Sequence, residues 1–265
     1  MEILEVDGPS APDELLRELY EAELDAVAEL QHGAAPPAFE ARLHLYRDPG
    51  RRRWLARLDG LPAGAAELRD GVADVRVRRS RRRRGVGTAL FAAVCAAAAG
   101  NGLRELRGHH ATQGGAAFAA SVGATDERRD VESLLVLAEA ELPEAAAPEG
   151  VELRTSRSVT AGHETLTTVA VAGGEVVAST SVRIGGRGYA GTDDTATVPA
   201  WRGRGLAQLV KCENLRRLRE ERPDVEVVGT VNAEQNTAIR TVNAKIGFVP
   251  VLILTTTVMA LGSEE

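Results

Sequence analysis

Apolar residues recur at helical spacing through residues 13–30, directly after Ser10-Ala11-Pro12, and this pattern predicts a helix. The period then shortens. Residues 54–58 and 63–68 read as strands flanking Asp59-Gly60-Leu61-Pro62, which predicts a hairpin. A strand at 73–77, a glycine-containing turn, an alanine-rich helix over 88–99 stopped by Gly100-Asn101-Gly102, a strand at 103–107, a short helix at 115–122 and a strand at 133–137 complete a first series. Residues 138–150, almost all Ala, Glu and Pro, form a low-complexity connector. Beyond it the series recurs, with strands at 151–154, 165–172, 176–184 and 189–198, turns at Gly173-Gly174 and at Gly185-Gly186-Arg187-Gly188, a helix at 208–221, a strand at 225–231, a helix at 236–246 and a strand at 251–259. Strands alternating with helices predict an α/β fold with a mixed sheet, and the recurrence predicts two domains, 1–140 and 151–265, joined by a linker at 141–150.

Composition supports packed cores: 44% of the 265 residues are apolar, although only 3% are aromatic, so alanine and leucine must fill most of the volume. A net charge of −6 argues against a general nucleic-acid partner. No apolar stretch is long enough to span a bilayer and no secretory segment is visible, so a cytoplasmic protein without a membrane partner is expected. Cys95 and Cys212 fall inside helices and read as small buried hydrophobes; His32, His44 and His163 lack metal-ligand spacing, and no metal is expected.

Positive charge is instead local. Seven of the nine residues from Arg76 to Arg84 are arginine, and they lead into Arg82-Arg83-Arg84-Gly85-Val86-Gly87-Thr88. The second series carries Arg202-Gly203-Arg204-Gly205-Leu206-Ala207 at the same place between strand and helix. Small residues let successive backbone N–H groups converge on an anion, the helix dipole adds partial positive charge, and arginines supply charge-assisted bonds, so both turns suit a phosphate.

Arg-x-x-Gly-x-Gly/Ala resembles the pyrophosphate loop of the GNAT N-acetyltransferases. Thr230-Val231-Asn232 with Asn236, Asn243 and Gly247-Phe248, together with Asp194-Thr195 and the Arg202 loop, resembles the C-terminal domain of the tandem GNAT proteins of actinobacteria, the broader group that includes mycothiol synthase. The first half matches through its loop, Ala116-Ala117-Phe118 and Gly123-Ala124. The resemblance implies two tandem acyl-CoA N-acyltransferase domains, acetyl-CoA as cosubstrate, and a small-molecule amine as acceptor, in a monomer or homodimer. It places the cofactor on Thr197, Val198, Arg202, Gly203, Arg204, Gly205, Leu206, Ala207 and Asn236, and on Val77, Arg82, Arg84, Gly85, Val86, Gly87 and Thr88 in the first copy. Asn236 reads equally as a helix N-cap. Between Thr155 and Thr165 there is no room for the helical pair that walls the acceptor site in this family, so the second domain is expected to be open there and to need a cover, from the first domain or a second subunit.

Acetyl transfer needs a neutral amine, a stabilised oxyanion and a leaving thiolate. Backbone groups at Thr197-Val198 and Val77-Arg78 are expected to face the donor. The family's usual basic carboxylate position falls on Gly191. By strand alternation Asp193 shares the Gly191 face and is the candidate base, while Asp194 points oppositely and aligns with Asp74. The family's acidic tyrosine position holds Asn243 here and Ala119 in the first copy, neither of which is an acid. His109 and His110 stand at a strand end and are open to a catalytic or an ordinary loop role. The alternative to an enzyme is a degenerate tandem protein that binds acyl-CoA as a sensor or partner subunit.

Overall fold

The computed structural model describes residues 1–30, 38–144, 146–160, 163–185 and 188–262; His32 and the Gly186-Arg187 part of the expected turn lie outside them. The chain divides into two compact units, Met1–Arg128 with Leu254–Glu265, and Arg129–Ile253.

Unit 1 begins with strand β1 (Glu2–Val6), helix α1 (Asp13–Leu30) and helix α2 (Phe39–Tyr46). Strands β2 (Arg52–Leu58), β3 (Leu61–Arg69) and β4 (Val72–Val77) form an antiparallel meander, followed by helix α3 (Val86–Gly100), strand β5 (Glu105–His110) and helix α4 (Gln113–Ser121). The predicted hairpin closes on two residues, Asp59 at φ 57° and Gly60 at φ 76°, because a two-residue turn that follows the strand twist needs positive φ at both. Alternation along β2 and β3 feeds two cores. Trp54, Ala56, Leu58, Ala66 and Leu68 pack with Leu90 and Val94 of α3, whereas Leu55 and Ala65 pack with Leu16 and Leu19 of α1 and with Phe39 and Tyr46 of α2.

Strand β6 (Thr125–Val136) carries the chain into unit 2, where β7 (Val151–Thr160), β8 (His163–Ala172) and β9 (Glu175–Ile184) form a second meander. Strand β10 (Tyr189–Thr197), helix α5 (Leu206–Glu221), strand β11 (Val227–Ala233), helix α6 (Thr237–Ile246) and strand β12 (Val249–Ala260) follow. Helix α5 covers one sheet face with Leu206, Leu209, Val210 and Leu215, and Asn214, fully buried, donates to the Leu166 carbonyl and to Thr168. Strand β7 runs directly into the β8 region, with β7 and β8 paired from Val151↔Ala172 to Thr160↔His163, so no helical pair lies between them. The sheet face opposite α5 carries Thr165, Thr167, Ser179, Ser181 and Arg183, placed there by cross-strand pairing; these polar side chains suit a solvated face.

The division differs from the expected boundaries at 140 and 151. Both crossings between units fall inside strands. Residues 130–136 of β6 pair with β11, from Asp130↔Ala233 to Val136↔Val227, and Leu135 and Leu137 bury in the unit 2 core. Thr255–Ala260 of β12 pair with β5, from Thr255↔His110 to Ala260↔Glu105. The closing strands of the two series are therefore exchanged. Chain order hides this because residues 133–137 and 251–259 have the same apolar strand character and either could complete either sheet.

Candidate functional site

In each unit the parallel strands before and after the phosphate-type loop separate. Strands β10 and β11 pair only at Tyr189↔Val227, Ala190↔Val228 and Gly191↔Gly229, although β10 continues to Thr197 and β11 to Ala233. Strands β4 and β5 pair only at Val72↔Arg107. Each divergence leaves a slot with its closed end at the last pair and its open end toward the loop.

The two loops share one backbone conformation. A single helical turn at Pro199–Trp201 or Arg79–Arg81 leads to Arg202 (φ −66°, ψ 157°) or Arg82 (φ −65°, ψ 158°). Gly203 at φ 75° matches Arg83 at φ 61°, and Gly205 at φ 77° matches Gly85 at φ 79°. Arg83 thus holds a left-handed conformation that costs a non-glycine residue about 1–2 kcal/mol, which shows how strongly the surrounding turn dictates the shape. The Nε of Arg202 donates to the Thr197 carbonyl at 3.3 Å, and that of Arg82 to the Val77 carbonyl at 3.2 Å. Helices α5 and α3 start on the glycine without a side-chain cap, and Leu209 N–H donates back to the Gly205 carbonyl at 3.0 Å. The N–H groups of Leu206, Ala207 and Gln208, in the first turn, have no intrahelical acceptor and present a positive helix end.

Charge distinguishes the loops. In unit 1, Glu29 of α1 takes hydrogen bonds from both Arg82 and Arg79, with Arg82 Nη2 at 2.6 Å, and Arg84 pairs with Asp59 at 3.2 Å. The Arg82 hydrogen bond is the main influence holding the Glu29 carboxyl below its ordinary range, and burial works against it. In unit 2, no carboxylate pairs with Arg202 or Arg204 among the described residues, and the Arg204 guanidinium lies 4.7 Å above the Trp201 ring. Trp201 packs against the Leu206–Val210 end of the core rather than outward. The slot of unit 1 borders a cavity lined by Ala73, Val75, Gly108, His109, Phe91 and Phe118. Phe91 and Phe118 meet edge to face at 5.8 Å, and Phe118 Cε2 stands 3.3 Å from where a Cβ of Gly87 would be. On the α1 side of β4, buried Glu23 accepts from Arg42, Arg76 and Tyr46, and Arg76 also pairs with Asp74.

The sequence-predicted residues fall as follows. Val198 and Arg78 do not offer free N–H groups to the slot: they donate to the Val177 and Ala63 carbonyls of the neighbouring strands, each at 2.9 Å. A bulge between Thr192 and Asp194 places Asp194 opposite Ser181, and Asp193 pairs with Arg183, which itself stands opposite Gly191. Both carboxylates are therefore on the Gly191 face; the expectation that Asp194 points oppositely fails because the bulge inserts one residue into the alternation. Asp193 meets Arg183 at 2.9 Å, and Asp194 is exposed. Asn236 caps α6 by accepting from Ile239 N–H at 3.4 Å, the role Thr112 plays for α4 at 3.1 Å. Asn243 is buried and donates to Asn232 Oδ1 at 2.7 Å, while its own Oδ1 has no partner among the described residues. His110 lies 3.6 Å from Asp126, and His109 contacts Thr256. Cys95 and Cys212 are free thiols whose pKa burial raises, in keeping with packing roles.

Sequence reasoning passed over two residues of unit 2. Tyr189 lies across Gly191 and Gly229. Lys211 of α5 is buried with its ammonium 5.2 Å from the Phe248 ring, and burial pulls its pKa down to about 8. The signal was a lysine among Leu209, Val210, Cys212 and Leu215 in a chain with only one other lysine, Lys245.

Residues 14–120 match the Acetyltransferase (GNAT) family. Over its whole length the chain superposes on a tandem GNAT protein from the clavulanic acid biosynthesis pathway, covering 100% of this chain and 99% of that one at 25% identity with a TM-score of 0.81. A GCN5-related N-acetyltransferase from Sphaerobacter thermophilus shares the fold at TM-score 0.73 and 16% identity, over 98% and 96% of the two chains. The match to the GNAT family is thus carried by residues 14–120, and the whole chain is similar in fold to a tandem-domain GNAT protein. The chain is 35% identical over 139 residues to a mycothiol acetyltransferase of Nocardia farcinica, covering 50% of this chain and 45% of that one, and 39% identical over 163 residues to one of Actinosynnema mirum, covering 56% and 50%. The matches span about half the length of these relatives. Among the described residues no helix is long and apolar enough to cross a membrane.

Proposed function

We propose that the chain is an N-acetyltransferase that moves the acetyl group of acetyl-CoA to the amine of a small molecule, with unit 2 as the site of chemistry. The observation that carries this reading is the Arg202–Ala207 turn: two arginines with no carboxylate partner among the described residues and an uncapped helix end, joined to a slot whose closed end lies at Gly191 and Gly229. On this reading Arg202, Gly203, Arg204, Gly205, Leu206 and Ala207 hold the pyrophosphate, Thr197 and Asn236 line the path of the pantetheine, and Asp193 with Asp194 draws the acceptor's proton toward water. Asn243 holds Asn232 in place beside the slot. The amine attacks the thioester carbonyl, the C–S bond breaks with its electron pair on sulfur, and the thiol, with an ordinary pKa of ~8.5, leaves as thiolate without a dedicated acid.

Unit 1 is read as a second, weaker cofactor site on Val77, Arg82, Arg84, Gly85, Val86, Gly87 and Thr88, because Glu29 and Asp59 already engage its arginines. The expected stoichiometry is up to two per chain. Replacing Glu29 with Gln should raise unit 1 affinity severalfold, an effect that salt then erodes; a calorimetric titration in which E29Q binds no more tightly would remove Glu29 as the competing anion.

The function itself is tested by thiol release from acetyl-CoA over a panel of small amines. Turnover with at least one amine is expected, and Asp193→Asn should lower kcat about tenfold or more while CoA affinity stays within twofold. Tight CoA binding with no release on any amine would instead identify a binding protein.

A further inference from the structure

We propose that Tyr189 is the residue that touches the acyl end of the donor in unit 2: its hydroxyl lies at the closed end of the β10–β11 slot and donates a hydrogen bond to the thioester as the C–S bond breaks. This rests on the reading of unit 2 as the acyl-CoA unit.

The placement follows from two glycines. Gly191 and Gly229 are the last paired residues before the strands diverge, so they mark the slot's end. Neither has a positive φ, so the backbone does not call for glycine at either position. At Gly229 the space does. A Cβ on Gly229 would stand 2.0 Å from the Tyr189 hydroxyl and 2.8 Å from Cζ, whereas a Cβ on Gly191 would lie 3.8 Å from the ring and 4.0 Å from the hydroxyl, in ordinary contact. The phenol thus occupies the room that a side chain at 229 would fill and borders the position of Gly191. The strand bulge that carries Asp193 begins one residue beyond Gly191, so the acceptor-side carboxylates and the phenol hydroxyl flank the same end of the slot.

Chemistry makes the group a donor. Tyr189 is 42% exposed, and its partial desolvation, with a smaller contribution from the Glu132 carboxylate, raises the phenol pKa; even an ordinary phenol, with a pKa of ~10, keeps its O–H at neutral pH. No protein atom among the described residues hydrogen-bonds this hydroxyl, which leaves its proton for a ligand. The family's acid position is Asn243, buried and turned to Asn232, so that position supplies no acid. In the balanced step the amine nitrogen bonds to the carbonyl carbon, the C–S electron pair goes to sulfur, the Tyr189 O–H stabilises the charge developing there, and the surplus amine proton goes to water.

The test is calorimetric titration of the full-length chain with acetyl-CoA and with CoA. The wild type is expected to favour acetyl-CoA over CoA at its tighter site by about fivefold, the equivalent of one neutral hydrogen bond. Tyr189→Phe should keep CoA affinity and lose that preference, and Gly229→Ala, whose Cβ displaces the phenol, should lose it as well. Where turnover is measurable, Tyr189→Phe should lower kcat with KM for acetyl-CoA moving less. A wild-type ratio near one, or a ratio unchanged in Tyr189→Phe, overturns the assignment while leaving the cofactor site intact. Failure of the wild type to bind either compound refutes the reading of unit 2 and this inference with it.

Discussion

A fragment beginning at Val151 is expected to be unfolded or insoluble, although it contains the whole second series of elements. Such a fragment lacks β6, which pairs with β11 along seven residues and buries Leu135 and Leu137 in the unit 2 core. Removing each leucine costs about 2–5 kcal/mol, and the exposed β11 edge adds a further liability, against a total stability of roughly 5–15 kcal/mol. A fragment spanning 129–253 keeps that ladder and both leucines. Far-UV circular dichroism and urea melts of the two fragments make the comparison. Cooperative unfolding of the 129–253 fragment alone is the expected result; equal stability of the two would show that the exchanged strand contributes little.

The second large effect concerns Lys211. Its amine is buried against Phe248 and titrates near about 8 because burial disfavours the charged form. In the unfolded chain an ordinary lysine titrates near ~10.4, so the unfolded state holds its proton more tightly. The folded protein is therefore penalised below pH 8, the penalty shrinks between pH 8 and 10.4, and it vanishes above. At about 1.36 kcal/mol per unit the full penalty is roughly 3 kcal/mol, an upper bound that contact with the Phe248 ring reduces. Lys211→Met, similar in volume, is expected to raise stability by about 1–3 kcal/mol at pH 7, several degrees in Tm, with the gain fading toward pH 10. A gain that is absent at pH 7 or independent of pH would show that the amine is not held in an apolar setting.

Most elements of the fold were legible in the sequence because their signals are local; β1 and α2 were not read. The period change from α1 to β2, the Asp59-Gly60 turn and the glycines at the heads of α3 and α5 each act within a few residues. The strand exchange was not legible, since which sheet β6 or β12 completes depends on contacts more than a hundred residues apart in the case of β12 and β5. At the site, the loop residues were readable for the same local reason. The orientation of Asp194 was not, because alternation assumes an unbroken ladder and the bulge at Asp193 breaks it. Tyr189 was invisible as a site residue since its meaning lies in Gly229, on another strand. The difference between the two loops came from Glu29, more than fifty positions before Arg82 in sequence and in direct contact with it in space.

The central claim is that the Arg202–Ala207 turn of unit 2 holds the pyrophosphate of the acyl donor. Gly205 is the sharpest place to test it, since it sits at φ 77° and a side chain there would meet nothing within 4 Å, only the open space in front of the helix N-terminus. Aspartate tolerates the left-handed conformation and would put a negative charge where the phosphate is expected, while asparagine adds the same shape without the charge. Calorimetric titration with CoA should show the tighter site of the wild type weakened a hundredfold or more in Gly205→Asp, on the order of 3 kcal/mol, and less in Gly205→Asn, with the thermal melts of both variants close to the wild type. An undiminished tight site in a folded Gly205→Asp protein would contradict the account.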